Sequence, residues 1–517
     1  MAIELREYQE KQLEFLTSMA SSSSNELFEV NCSLESPTGS GKSIVMMEFI
    51  KQMLEAKPKA KMFISTGFND LVFQLHETAI EMGLPSIVLI GRNHTRCLKK
   101  AGFSASEQFT IDEELNPKGE YECIACEMHG KECPCDYALR EISQSTSGIL
   151  VITNHSTLIA RMGFFSEHFI GGFIDECQTF GAFYEGAMQA RIPYNELNTI
   201  RKFVSNDLIA QSNAGIEAKT LEWEIKAGKV TQETLDKVLR LPATPTPAKI
   251  EARKQTYVSD YFPRSERECT KMRSYKDLPH YTYPQIEYDK KNGIIVDYFF
   301  TNVELPFNVC LVSATVDTYT TSMMKVGKGN SYKETSCRII DYSKSSVSVY
   351  NEFTNDAISN FIKKQEGNRG LLLSTRLDIV DAWVQKGEIC GYEIIDDASK
   401  LEDGKKQILV GSRKLFQGID IHGLDFILLN RLPFDPYTNA YKAKMAYFDS
   451  TGVKAYEWYT IPHVVNSLIQ AMGRGWRRPD DKCNIGIFDG RALVNHKKIL
   501  KDALSYRKGI KVFRCSQ

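Results

Sequence analysis

Short apolar runs that stop at small or polar residues recur through the first third of the chain. Met62-Phe63-Ile64 stops at Ser65-Thr66, Ile87-Val88-Leu89-Ile90 at Gly91-Arg92, Ile149-Leu150-Val151-Ile152 at Thr153-Asn154-His155, and Phe173-Ile174 at Asp175-Glu176. Runs of this kind suit strands buried on both faces of a parallel sheet, with polar chemistry collected at their carboxyl ends. An alternating stretch at Phe28, Val30, Cys32 and Leu34 predicts a further strand, and the apolar run from Ile44 to Leu54 predicts a helix after it. Leu13, Phe15 and Leu16 predict a short amphipathic helix behind Arg6, and Ser21 to Ser24 predict a mobile link to the first strand.

The pattern changes from about residue 190 to 300. Leu197 to Ile209, Ala218 to Ile225 and Thr231 to Leu239 read as helical, and Pro242, Pro245 and Pro247 then precede a tyrosine-rich stretch at Tyr275, Tyr281, Tyr283 and Tyr288. Strand-like runs resume at Val309 to Val312, Leu371 to Leu373, Ile408 to Val410, Phe426 to Leu429 and Ile485 to Phe488. The expectation is an α/β protein of two parallel-sheet lobes, with a largely helical insertion in the first.

Composition adjusts this picture only slightly. A length of 517 residues allows roughly three or four domains, and 42% apolar with 25% charged residues is ordinary for a globular protein. Sixty-four basic against 65 acidic residues give a net charge of −1, so a nucleic-acid site has to be a local patch. No run approaches the ~18 apolar residues of a membrane span, and Met1-Ala2-Ile3-Glu4 lacks a basic n-region, which predicts a cytoplasmic protein without a membrane partner. In that compartment 13 cysteines argue against a disulfide framework and, where they cluster, for metal.

The chemistry centres on Ser36-Pro37-Thr38-Gly39-Ser40-Gly41-Lys42-Ser43, between a predicted strand and a predicted helix. It reads as a phosphate-binding loop. Thr38, Gly39, Ser40 and Gly41 would turn backbone N–H groups onto phosphate oxygens, Lys42 would reach the β- and γ-phosphates of ATP, and Ser43 would ligate Mg²⁺. Ser36 departs from the pattern, since Gly or Ala usually stands there. Asp175-Glu176 at the end of an apolar strand supplies the second half, Asp175 for Mg²⁺ and Glu176 to polarise the attacking water. Gln9, just upstream of the loop, can read an adenine edge. In the second lobe Gln470, Arg474 and Arg477 fall at i, i+4 and i+7 behind an apolar helix, so that two guanidiniums could clamp a γ-phosphate from across the cleft.

Five cysteines, Cys97, Cys123, Cys126, Cys133 and Cys135, gather between Gly91 and Thr153. Thiolates at the C-x₂-C spacing of Cys123 and Cys126 bind either Zn²⁺ or an iron–sulfur cluster, and spacing alone does not separate the two. A zinc knuckle would most simply use Cys123, Cys126, Cys133 and Cys135.

These elements resemble superfamily 2 helicases, and within them the XPD/DinG-like iron–sulfur group. Ser36 to Ser43 match motif I, Ile64-Ser65-Thr66 motif Ia, Asp175 to Gln178 motif II, Ser313-Ala314-Thr315 motif III, Gln417-Gly418-Ile419-Asp420 motif V, and Gln470-x-x-Gly473-Arg474-x-x-Arg477 motif VI. Gly91-Arg92-Asn93-x-x-x-Cys97, Thr153-Asn154-His155 and Arg431-Leu432-Pro433-Phe434 are more particular to the group. Two positions depart from it: Cys177-Gln178 replace Ala-His in motif II, and Gln417 replaces an acid in motif V. The resemblance implies two RecA-like lobes, ATP and Mg²⁺ with Gln178, Asp420 and Gln470 also at the nucleotide, and a [4Fe–4S] cluster on Cys97, Cys123, Cys126 and Cys135, leaving Cys133 spare. It further implies a monomeric DNA helicase in repair or replication that moves 5′→3′ on single-stranded DNA and opens forked duplex DNA. The implied domains are lobe 1 in three pieces (1–93, 139–192, 301–318), a metal domain (94–138), an Arch-like insertion (193–300) and lobe 2 (319–517). An RNA-dependent ATPase, or an ATP-gated nucleic-acid-binding protein with a zinc knuckle, is the alternative.

Overall fold

The computed structural model describes residues 5–36, 40–91, 134–188, 190–192, 281–289, 293–300, 305–316, 322–325, 336–341, 352–412, 415, 421, 423–435, 439–450, 452–475, 481–489, 491, 497–505 and 511–516. Two parallel sheets organise them.

The first lobe runs α1 (Glu7–Met19), β1 (Cys32–Glu35), α2 (Lys42–Ala56), β2 (Lys61–Thr66), α3 (Asn69–Glu81), β3 (Ser86–Leu89), α4 (Pro134–Gln144), β4 (Ile149–Asn154), α5 (His155–Ala160), α6 (Met162–His168), β5 (Gly171–Asp175) and α7 (Phe180–Met188), with β9 (Val309–Ser313) and β10 (Ser322–Lys325). Its seven strands lie in the order β10-β1-β9-β5-β2-β4-β3, every pair parallel. The apolar runs fill both faces by simple alternation. Met62, Ile64, Leu150, Ile152 and Phe173 pack with α1, α2 and α3, whereas Phe63, Val151 and Ile174 pack with Phe165, Phe169 and Phe180 on the other side. Burial falls off at β3, the last strand of the sheet, where Ser86, Ile87 and Val88 are only partly covered.

The second lobe comprises β11 (Ser336–Asp341), α8 (Glu352–Ile362), β12 (Arg369–Leu373), α9 (Leu377–Lys386), β13 (Glu388–Ile389), β14 (Tyr392–Ile395), β15 (Gln407–Gly411), β16 (Phe426–Leu429), α10 (Asn439–Ser450), α11 (Ile461–Gly473), β17 (Asn484–Ile487), α12 (Lys497–Ser505) and β18 (Lys511–Ser516). The order is β13-β14-β15-β12-β16-β17-β11-β18, parallel except for β13 against β14. Leu371 and Leu373 face one core and Leu372 the other, again the signature of a strand covered on both sides.

Several expectations change. The first strand begins at Cys32 rather than Phe28, and Val30 is 37% exposed. The serine link is tied down, because Lys57 Nζ donates to the carbonyls of Ser21 at 2.9 Å, Ser23 at 2.5 Å and Glu26 at 2.9 Å. β10 extends the first sheet to residue 325, past the boundary drawn at 318, by pairing with β1. Likewise α4 crosses the boundary drawn at 138. The tyrosine-rich end of the insertion is β-sheet: β6 (Ala190–Ile192), β7 (Tyr281–Asp289) and β8 (Gly293–Phe300) form an antiparallel sheet in the order β6-β8-β7. Aromatic and β-branched residues at Tyr281, Tyr283, Ile294, Val296 and Tyr298 favour an extended chain over a helix. The segments read as helical, from Leu197 to Leu239, lie outside the described residues.

Candidate functional site

The carboxyl ends of β1, β5 and β9, neighbours in the first sheet, bring motifs I, II and III together. Gly41 stands at φ 76°, a left-handed conformation that suits glycine, and opens α2 with Lys42 as its first residue. A Cβ there would fall 2.2 Å from Gln9 Nε2, so a larger residue would also displace the Gln9 amide. Lys42 Nζ donates to Ser36 O at 3.1 Å. Thr38 and Gly39 lie outside the described residues, while Ser43 is in the first turn of α2.

The departure at Ser36 has a structural use. Its buried hydroxyl sits 2.6 Å from that of Ser40 and accepts from Gln12 Nε2 at 3.2 Å, clasping the two ends of the loop together. Gln12 was not anticipated, although it follows Gln9 by three residues and so shares its helix face. Gln9 itself is engaged with protein, since Oε1 accepts from Arg6 N at 2.9 Å and Nε2 donates to Ser40 O at 3.1 Å.

Asp175 is 7% exposed and its Oδ1 has no hydrogen-bond partner among the described residues. Burial raises its pKa to about 7, the Glu176 carboxylate adds to the rise, and Lys42 opposes it. A buried carboxylate with an uncommitted oxygen beside a lysine and a second acid fits a divalent cation and a polyphosphate. Glu176 is held at φ 53°, rare for a residue with a side chain. Gln178 joins it to the neighbouring motif: Gln178 Nε2 donates to Glu176 Oε2 at 2.6 Å, and Ser313 Oγ donates to Gln178 Oε1. The glutamine that replaces histidine in motif II therefore bridges to motif III. Beneath it His155, absent from the expected site, is fully buried with its pKa lowered to about 3 by desolvation. Its Nδ1 lies 2.8 Å from Ser65 Oγ, tying the first residue of α5 to the end of β2.

From the second lobe α11 presents Gln470 and Arg474. The helix ends at Gly473, so Arg474 is its C-cap, and both side chains are buried rather than displayed on a solvated face. Neither amide atom of Gln470 has a hydrogen-bond partner among the described residues, which fits a polar ligand beside it. Desolvation lowers the pKa of Arg474, and the charge of Glu176 in the other lobe opposes this, so the guanidinium lies within electrostatic range of Glu176. Arg477 and Asp420 lie outside the described residues, as do Cys97, Cys123, Cys126 and Cys133; Cys135 falls in the first turn of α4.

Asp175 yields a stability prediction for the nucleotide-free protein. Its folded pKa of about 7 exceeds the ordinary 3.8, so ionisation destabilises the fold progressively between those values and fully above pH 7. Asp175→Asn should raise the melting temperature above pH 7 by the equivalent of about 1–3 kcal/mol, and the two proteins should converge below pH 4. Melting curves that stay superimposed at pH 8 would contradict it.

Comparison with known proteins adds the family context. The family model for a helicase C-terminal domain matches residues 351–506, and that for the type III restriction enzyme res subunit matches residues 2–191. ATP-dependent DNA helicase DinG of Photobacterium profundum is 30% identical over 108 residues, which cover 20% of this chain and 16% of that protein. The match thus spans well under two thirds of that relative. In fold the chain is similar to a solved XPD helicase, with a TM-score of 0.61 at 12% identity and 100% of both chains covered. It is also similar to S. tokodaii Xpd4, with a TM-score of 0.57 at 12% identity over 98% of this chain and 100% of the other. Among the described residues no helix is long and apolar enough to cross a membrane.

Proposed function

We propose that this chain, XPD/DinG-like superfamily 2 in its family matches and its fold, is an ATP-driven DNA helicase. The observation that carries this reading is Arg474, buried at the end of α11 in the second lobe and within electrostatic range of Glu176 of the first. ATP with Mg²⁺ would sit between the lobes. Lys42 then neutralises the β- and γ-phosphates, Ser43 and Asp175 hold Mg²⁺, Glu176 orients the attacking water, and Arg474 with Arg477 stabilises charge on the transferred phosphoryl group. Gln470 and Asp420 complete the far side and Thr38 to Gly41 the cradle. Gln9 reads the adenine once its bonds to Arg6 and Ser40 are exchanged. The Glu176–Gln178–Ser313 bridge links the water-positioning acid to β9, so closure of the lobes is felt in motif III.

The finer parts of the proposal rest on the family resemblance: a cytoplasmic monomer that moves 5′→3′ on single-stranded DNA and opens forks. Cys97, Cys123, Cys126 and Cys135 would hold a [4Fe–4S] cluster, with Zn²⁺ as the other metal their thiolates accept. The cluster supplies rigidity to the segment that carries it.

Single-stranded DNA should stimulate ATP hydrolysis several-fold, and a duplex with a 5′ tail should be unwound where one with a 3′ tail is not. Stimulation by RNA alone would move the protein to the RNA-dependent class, and no stimulation by either would leave only an ATP-gated binding role.

A further inference from the structure

Motif position suggests Thr66 as a strand contact of lobe 1, but its side chain is fully buried at the end of β2. The hydroxyl has no hydrogen-bond partner among the described residues, a costly state for a polar atom away from water. Register identifies the groups beside it. Thr66 pairs with Asn154 of β4 on one side, and on the other Ser65 pairs with Ile174 of β5, which sets Thr66 next to Asp175. Ile64, Ile152 and Phe173, two residues earlier on the three strands, all pack in the core formed with α1, α2 and α3. Side chains two apart on a strand share a face, so Thr66, Asn154 and Asp175 stand on the side covered by α2, which Lys42 begins.

Hydrogen bonds account for one of these neighbours and leave the other. Asn154 is committed, since its Nδ2 donates to Asn69 Oδ1 of α3 at 2.6 Å and its Oδ1 accepts from Thr157 N at 2.7 Å. Asp175 is not: its Oδ1 is buried and, like the Thr66 hydroxyl, has no partner among the described residues. Two uncommitted oxygens therefore stand on one face of adjacent strands without bonding to each other. Neighbouring strands lie about 4.8 Å apart, a separation that one water spans with two hydrogen bonds of about 2.8 Å.

Resting on the nucleotide site described under the proposed function, we propose that Thr66 is a positioning residue for Asp175 rather than a strand contact: through one water its hydroxyl holds the Asp175 carboxylate in the orientation that suits Mg²⁺. Asp175 supplies the charge for the ion, and Thr66 fixes the rotamer that presents it. Groups that orient a metal-binding carboxylate in this way change metal affinity by about 10–100-fold. The hydroxyl carries the effect, and the methyl group only fills space.

The test is binding of a fluorescent ADP analogue to the full chain across a Mg²⁺ series, with anisotropy of a labelled oligothymidylate measured alongside in the absence of nucleotide. Thr66→Val and Thr66→Ala, which both remove the hydroxyl, should raise the Mg²⁺ concentration at half-maximal nucleotide binding about tenfold, while Thr66→Ser keeps the wild-type value. Oligothymidylate affinity should stay unchanged in all three. A wild-type Mg²⁺ requirement in the hydroxyl-free variants, or the same rise in Thr66→Ser, would overturn the positioning role and leave the nucleotide site standing. Weakened oligothymidylate binding at an unchanged Mg²⁺ requirement would also overturn it, in favour of a strand contact. A wild type whose nucleotide binding ignores Mg²⁺ would overturn the site itself.

Discussion

Lys42→Ala is expected to abolish ATP hydrolysis, and Arg474→Ala to slow it by about 10³-fold or more while nucleotide still binds. In the proposed site the two residues approach the phosphates from different lobes, and the split follows from that. Lys42 begins α2 against a glycine with φ of 76°, so its charge is placed by the loop itself whether the lobes are open or closed. Its loss removes a ground-state contact and the affinity that goes with it. Arg474 is the C-cap of α11, and its buried guanidinium, within electrostatic range of Glu176, would act chiefly when charge builds up on the phosphoryl oxygens. Arg474→Lys should not rescue it, because an ammonium lacks the planar donors of the guanidinium. Nucleotide titration alongside DNA-stimulated turnover checks both halves. Near-normal turnover in both variants would remove the site from this cleft.

Much of this site was legible because it lies at strand ends. An apolar run interrupted by Ser65-Thr66, Asn154-His155 or Asp175-Glu176 announces both the buried strand and the polar edge, and the edge is where the residues meet. β10, Ser-Met-Met-Lys, was missed because it is short and has no β-branched residue to mark it. Gln178 and Ser313, 135 residues apart, become neighbours only because β5 and β9 are adjacent in the sheet. Sequence showed that glutamine replaced histidine in motif II, and only the fold shows which two groups it joins. His155 was quoted as part of a motif, yet its role depends on Ser65, 90 residues earlier.

Cys123→Ser or Cys126→Ser should cost the protein its metal and most of its strand separation while leaving ATP hydrolysis largely intact. The segment holding Cys97, Cys123, Cys126 and Cys133 lies in the sequence between Gly91, just beyond β3, the last strand of the sheet, and α4. The proposed nucleotide residues of this lobe stand at β1, β5 and β9, with β2 and β4 between β5 and that edge. The attachment point of the segment at β3 is therefore separated from the proposed phosphate site by two covered strands whose cores belong to the lobe itself, including Phe63 and Val151. A segment so poor in apolar residues has little core of its own, and metal–thiolate bonds supply the rigidity that a wedge against duplex needs. Metal content, DNA-stimulated ATPase and fork unwinding measured on the same preparation separate the possibilities. Lost metal with unwinding intact would end the mechanical reading. If Cys133→Ser loses metal and Cys97→Ser keeps it, the ligands are those of a zinc knuckle at Cys123, Cys126, Cys133 and Cys135; the reverse result selects the iron–sulfur set.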